Sequence, residues 1–199
     1  MKTQRFLTRP AARMGLALAC GLVSGAATAQ QVQIDWGSSA ILQKMITSDG
    51  SSITAAEFSV ELGAFTAGFV PTTENYSDWV NNWMVFDAIT DPDSDTNGPG
   101  GTTADGFISG PGTDARFVGT GHLLADQTSG SEDANGTDVF TPGSQAYVFI
   151  RNSDTADENA EWLLYTSASG DVWQFPTATG GQTSFPESWF VSQADTAIW

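Results

Sequence analysis

Four oxygen-bearing side chains stand at every second position of one short segment and could bind a hard cation. The segment reads Asp91-Pro92-Asp93-Ser94-Asp95-Thr96-Asn97-Gly98. Residues 93–98 match the D-x-D-x-N-G opening of an EF-hand calcium loop, in which alternating oxygens ligate and glycine makes the sharp turn. The closing bidentate glutamate would fall at Ala104, so the rest of that loop is not matched. The alternative is a solvated acidic turn, because Asp, Asn and Gly also favour turns. The candidate calcium ligands are Asp91, Asp93, Asp95 and Asn97.

Two further acidic clusters occupy residues 132–138 and 154–161. A cation shared between two such loops would explain the number of acids if the fold brought the loops together. Clusters of this kind are more often a solvated surface. They therefore add no second metal site to the prediction.

Tryptophan is abundant, with seven in the chain, and flat aromatic faces can stack on sugar rings. Trp36, Trp79, Trp83 and Trp162 stand in apolar patterns, which favours a place in the core. Trp173 and Trp189 fit such patterns less well. They are the predicted carbohydrate-binding residues.

The residues that enzymes use most often are scarce. His122 is the only histidine and Cys20 the only cysteine, so a zinc site with several histidines is excluded. The sequence has no G-x-S-x-G or H-E-x-x-H motif, although a triad of His122 with a serine and an aspartate remains an alternative. Paired carboxylates could serve a glycosidase, but 23 acids make any chosen pair arbitrary. We predict no catalytic residue.

The first 29 residues predict export. They carry four of the seven basic residues and none of the acids, with an apolar run from Met14 to Val23 and small residues ending at Ala29. A basic start, a short apolar run and an A-x-A site are typical of a secretory signal peptide. Acylation at Cys20, which follows a sequence similar to a lipoprotein box, is the alternative. We expect cleavage near Ala29 and a protein that is secreted or held in the cell envelope, in the periplasm or at the cell surface.

Residues 30–199 are strongly acidic, with three basic residues against 23 acids and a formal charge of −20. Nucleic acid is excluded as a partner, because binding to a phosphate backbone needs a basic surface. No apolar run in this part is long enough to span a bilayer. Its 170 residues, rich in aromatics and free of cysteine, suit one domain held together by its core.

Most of this domain is predicted to be strand. The segment from Val32 to Trp36 alternates apolar and polar residues, and Asp49-Gly50 is a turn signal between two short apolar runs. Short β-branched and aromatic runs separated by Gly, Ser, Thr, Asn and Asp are typical of a sandwich or barrel. We expect a single-domain antiparallel β-sandwich of the jelly-roll type. The further candidate strands are 58–62, 116–118, 121–124, 146–151, 161–166, 172–175 and 189–191.

One segment departs from the strand pattern. Trp79 and Trp83 stand four residues apart, as do Val80 and Met84. This is helical spacing. The sequence therefore predicts one short helix around residues 73–87, packed against the sheet.

Several stretches resemble a family of uncharacterised exported bacterial proteins, many of which carry a PEP-CTERM sorting tail. They run along most of the acidic domain, at residues 58–65, 68–72, 143–147, 161–164, 173–176 and 194–197, together with Trp79 and Trp83. The resemblance implies a place at the cell envelope and no catalytic residues. The family's Pro-Glu-Pro tail and apolar helix are not found, since Pro186-Glu187-Ser188 differs and the sequence stops at Trp199. Either this member is released or the sequence is truncated.

Three function classes follow from these observations. The leading prediction is an exported, non-catalytic cell-surface, matrix or binding protein, with the cell envelope or an extracellular polysaccharide as partner. The first alternative is a calcium-assisted carbohydrate-binding module, and the second is a secreted polysaccharide hydrolase.

Overall fold

The chain folds mainly into β-strands, as the sequence predicts. The computed structural model describes residues 31–38, 45–51, 53, 57–89, 106–107, 117–157, 159–170, 172–178 and 187–198. The predicted leader lies outside the described residues. The strands in the described part are β1 Gln31–Gly37, β2 Ser59–Phe65, β3 Trp83–Ile89, β4 Gly106–Phe107, β5 Phe117–Leu124, β6 Tyr147–Arg151, β7 Trp162–Thr166, β8 Glu187–Phe190 and β9 Thr196–Ile198.

These strands form two sheets that pack face to face, so the predicted sandwich is confirmed. The first sheet has the order β4-β5-β1-β8 and the second β3-β2-β6-β7-β9. The antiparallel prediction is wrong for one pair, because β1 and β8 run parallel, from Ile34 opposite Glu187 to Gly37 opposite Phe190. Alternation along a strand fixes its faces and not its direction. A parallel pair needs a long connection, which the chain between these distant strands supplies.

The main core lies between the two sheets. Ile34 and Trp36 of β1 and Val60 and Leu62 of β2 are fully buried there, in the alternation that each strand shows in its sequence. Phe86 of β3 packs against Phe140, in the loop after β5, and Phe175, in the loop after β7. Burial of large apolar side chains from both sheets is what stabilises the two layers against each other.

A second cluster covers the outer face of the second sheet. Phe65 of β2, Phe149 of β6 and Leu164 of β7 point away from the main core and are buried under Trp79, which is 1% exposed. Trp83 and Trp162 complete the cluster and are partly buried. The second sheet therefore has apolar residues on both faces, and the segment around Trp79 shields its outer one.

The predicted helix is present but much shorter than residues 73–87. A 3-10 turn at Tyr76–Asp78 leads into helix α1, Trp79–Asn82, and the chain then continues directly as β3. Trp79 and Trp83 share the outer cluster, since both contact Phe149. The four-residue spacing thus reports one shared apolar environment. The run after Asn82, which is rich in β-branched and aromatic residues, pairs with β2 instead, with one shift in register between Leu62 and Gly63.

Two local predictions have different outcomes. The turn at Asp49-Gly50 is confirmed, with the amide of Thr47 bonded to the carbonyl of Ser51 and a positive φ of 87° at Gly50. Residues 172–175 are not a regular strand. They form a single β-bridge, Gln145 opposite Gln174, within a loop.

Candidate functional site

The predicted calcium loop cannot be placed. Asp91, Asp93, Asp95 and Asn97 all lie outside the described residues. Within the part of the chain that the structure describes, no group of three or more His, Cys, Asp or Glu side chains is arranged to hold a metal ion.

The acids of the cluster at residues 154–161 act separately. Asp154 pairs with Arg151 at 2.8 Å, and Asp157 accepts a bond from the amide of Asn159. Glu161 accepts two bonds from Ser48. These carboxylates therefore fix local loops and do not converge on one point.

The prediction that Trp173 and Trp189 bind carbohydrate is corrected by their burial. Trp173 is 1% exposed and Trp189 is 3% exposed. Their rings stack on each other at 6.4 Å within the main core, and Phe175 lies edge-on to Trp189. A sugar ring cannot reach either indole face. The aromatic pattern of this region reports core packing.

An apolar cleft opens where the turn of residues 45–51 meets the start of β7. We use the name apolar cleft for the groove of about 360 Å³ bounded mainly by Met45, Ile46, Ile53, Phe58, Ile150 and Leu163. Ile53, Phe58 and Ile150 are buried at its floor, whereas Ile46 stands at its edge with 60% of its surface exposed. A groove with mainly apolar walls and a few polar groups is a feature of ligand sites.

Glu161 holds two walls of the apolar cleft together. Its carboxylate accepts bonds from the amide of Ser48 at 3.1 Å and from the hydroxyl of Ser48 at 2.5 Å. Its own amide donates to the side chain of Asn152 at 2.7 Å, closing the loop between β6 and β7. One residue thus holds the turn on one wall of the cleft to the loop on the other.

The apolar cleft continues into a polar opening, which we call the acidic mouth. It is lined by Thr47, Asp49, Ser51, Glu57, Phe58, Asn152 and Glu161, and it shares Thr47, Phe58 and Glu161 with the cleft. Hydrogen bonds from Thr47 and Ser51 lower the pKa of Asp49 below its ordinary value, which favours its charged form. Of the described residues that line the mouth, three carry carboxylates and none is basic.

A second groove lies on the other side of Trp162. This aromatic cleft, of about 300 Å³, is lined by Thr73, Tyr76, Trp79, Ala156, Asp157, Ala160 and Trp162. Tyr76 is 47% exposed and meets the Trp162 ring edge-on at 6.4 Å. Trp162 stacks on Trp79 at 6.2 Å and donates its indole N–H to the carbonyl of Ser153. An accessible ring beside the Asp157 carboxylate is a combination that can contact a sugar.

A largely buried ion pair supports the loop that walls both clefts. Arg151, the last residue of β6, makes two bonds to Glu61, at 2.6 and 3.0 Å, and its guanidinium lies 4.9 Å from the centre of the Phe149 ring. Burial lowers the pKa of Arg151, but the charge and hydrogen bonds of Glu61 and of Asp154 outweigh it, and the net pKa is raised. Arg151 is therefore a fixed cation at the base of the loop.

The only histidine is remote from these grooves. His122 is 5% exposed and lies in β5 of the first sheet, whereas the apolar cleft includes residues of β6 and β7, which are inner strands of the second sheet. The cleft walls offer apolar contact, carboxylates and a few hydroxyls. This set of groups suits binding through burial and charge.

The sequence contains only a weak signal for this site. The Asp49-Gly50 turn with an apolar residue on either side is visible, but Glu57, Ile150 and Leu163 join it only through the fold. Comparison of the chain with family models, with curated proteins and with solved structures gives no match. Among the described residues, no helix has the length and apolar character needed to cross a membrane.

Proposed function

We propose that the protein is an exported, non-catalytic binding component of the cell surface or extracellular matrix, and that the apolar cleft is its ligand site. The observation that carries the proposal is an apolar groove of about 360 Å³, with Ile46 at its edge, that leads to three carboxylates. Export rests on the basic and apolar pattern of residues 1–29.

The volume of the cleft supports a ligand site. About 360 Å³ lies within the range of small-molecule and side-chain pockets, roughly 300 to 1,000 Å³. Aliphatic walls favour an apolar group of a few carbons, since each buried methylene contributes about 0.8 kcal/mol.

The binding part of the proposal is tested with 1-hexanol as an uncharged apolar probe. Saturation-transfer NMR should detect millimolar binding to the protein. Ile46→Ser should weaken it about threefold or more, because apolar area at the cleft edge is lost. Val70→Ser is the matched control, since Val70 is another exposed β-branched residue, at 68%, and does not line either cleft. Equal effects of the two substitutions, or no binding, would reject the cleft as the site.

The export part is tested separately by fractionation of a secretion-competent bacterial host. The full chain should be found outside the cytoplasm in a form shortened by about 29 residues, whereas a chain lacking residues 1–29 should stay inside. Retention of the full chain in the cytoplasm would reject export.

Carbohydrate binding is a second candidate, favoured by the aromatic cleft. Tyr76 presents an open ring next to Asp157, which is the pairing of stacking surface and hydrogen-bond acceptor that a sugar requires. A glycan array with and without calcium tests this candidate, with Tyr76→Ala as the variant. Signals that survive this substitution would place any glycan elsewhere.

A further inference from the structure

The apolar cleft and the acidic mouth are one continuous surface, which limits the chemistry of what can occupy both. The cleft offers aliphatic contact, and the mouth adds the carboxylates of Asp49, Glu57 and Glu161 within a shared boundary at Phe58. A complementary ligand carries an apolar group and positive charge side by side.

Charge excludes several ligand classes. Residues 30–199 have a formal charge of −20, so phosphates, uronic acids and anionic lipid head groups are repelled at long range. At the mouth the same repulsion acts at close range. The acids of the mouth are solvent-facing, so each pair with a cation is worth little alone and several must act together.

The shape of the walls separates a peptide from a sugar. Aliphatic side chains form most of the cleft walls, and the two aromatic residues of the lining are Phe58, which is 8% exposed, and Trp162, one face of which stacks on Trp79. The walls therefore offer mainly apolar contact, whereas the hydroxyls of a sugar need hydrogen-bond partners when they are buried. The volume of the cleft accepts one bulky side chain, and the mouth beside it accepts the flanking residues.

We infer that the apolar cleft and acidic mouth bind an extended segment of a partner protein in which one bulky apolar side chain is flanked by lysine or arginine. The inference rests on the proposed function and deepens it by giving the chemistry of the ligand. The apolar side chain enters between Ile46 and Leu163, and the flanking cations meet Glu57 and Glu161.

The test uses four fluorescein-labelled heptapeptides of the form Gly-Ser-X-Z-X-Ser-Gly, measured by anisotropy at low salt. The three central residues X-Z-X of the four peptides are Lys-Leu-Lys, Ser-Leu-Ser, Glu-Leu-Glu and Lys-Ala-Lys. The Lys-Leu-Lys peptide should bind about tenfold more tightly than the Ser-Leu-Ser peptide, a difference of about 1.4 kcal/mol. Its affinity should also exceed those of the Glu-Leu-Glu and Lys-Ala-Lys peptides by at least about tenfold. High salt should remove most of the preference for lysine over serine or glutamate.

A charge-matched pair of double variants locates the preference. Glu57→Gln with Glu161→Gln should reduce the tenfold ratio to about twofold. Glu74→Gln with Glu132→Gln changes the net charge equally at exposed positions outside the mouth and should leave the ratio unchanged. Equal effects of both pairs would mean attraction to the whole protein and would overturn the inference.

The outcomes separate this inference from the proposed function. If 1-hexanol binds at the cleft but the Lys-Leu-Lys peptide binds no better than the Ser-Leu-Ser peptide, the inference is wrong and the ligand site stands. If neither probe binds, both are wrong.

Discussion

The indole nitrogen of Trp36 donates a 2.6 Å hydrogen bond to a carboxylate oxygen of Asp87, and this bond joins the two sheets. Trp36 belongs to β1 of the first sheet and Asp87 to β3 of the second. Both side chains are fully buried. A buried carboxylate is costly unless it is hydrogen-bonded, so this contact fixes how the layers meet.

Removing the indole donor of Trp36 should strongly destabilise the fold. Trp36→Phe should lower the free energy of unfolding by about 3 kcal/mol, because it removes a hydrogen bond to a fully buried carboxyl group. Trp162→Phe is the matched control, since its indole donates to a neutral carbonyl and is only partly buried. That change should cost about 1 kcal/mol. Urea unfolding measures both, and losses of the same size would contradict the role assigned to Asp87.

Two glycines of β5 allow the core rings to approach its backbone. A Cβ at Gly119 would overlap the indole nitrogen of Trp36, and one at Gly121 would lie 2.5 Å from the ring of Phe86. Gly119→Ala should therefore destabilise the fold by about 2 kcal/mol or more through overpacking. Gly136→Ala meets nothing within 4 Å and should change stability by less than about 0.5 kcal/mol. Thermal unfolding compares the pair, and a Gly119→Ala variant as stable as the parent would show that Trp36 can move.

The ion pair of Glu61 and Arg151 should show rescue. Arg151→Met should cost about 3 kcal/mol, because it leaves the carboxylate of Glu61 in a site where its side chain is only 9% exposed. Adding Glu61→Gln removes that charge, keeps one oxygen as an acceptor for the indole of Trp83, and presents its amide NH2 to the hydroxyl oxygen of Ser59. The double variant should therefore be more stable than the Arg151→Met variant by about 1 kcal/mol or more. A double variant that is less stable than either single variant would contradict this account.

Asp195 should make stability depend on acid pH. Its carboxylate accepts bonds from Ser169, from the amide of Ala168 at 2.8 Å and from Thr196, and these bonds lower its pKa well below the usual 3.8. A depressed folded pKa gives stability that is present above the unfolded pKa and is lost as pH falls through the folded pKa. Asp195→Asn should therefore destabilise the protein at pH 7, and its deficit relative to the parent should shrink below about pH 4. A deficit that is constant from pH 7 to pH 2 would show that charge is not involved.

The strands were predictable where one strand carries its own pattern. The alternation of Val32, Ile34 and Trp36 gives both the strand and its buried face, and the Asp49-Gly50 turn follows from residue type alone. The predicted helix is too long because Trp79 and Trp83 lie in one apolar cluster, although the chain changes from helix to strand between them. The direction of β8 was not predictable, since pairing with β1 depends on residues about 150 positions apart.

The candidate site was not predictable for a related reason. Its walls come from residues near 46, 57, 150 and 162, which approach one another only when the second sheet forms. Burial of Trp173 and Trp189 is likewise decided by contacts between distant loops. Residue types therefore indicate that aromatic and acidic side chains are candidates for ligand binding, whereas the fold determines which of them face solvent.

The most direct test of the central claim is an isotope-filtered NOE measurement between 1-hexanol and the methyl groups of the protein. The account predicts intermolecular NOEs to Ile46, Ile53 and Leu163, which bound the apolar cleft. These NOEs should weaken on addition of the Lys-Leu-Lys peptide, because both probes occupy the same groove. NOEs confined to other methyl groups, or none at a saturating concentration of 1-hexanol, would contradict the assignment of the apolar cleft as the ligand site.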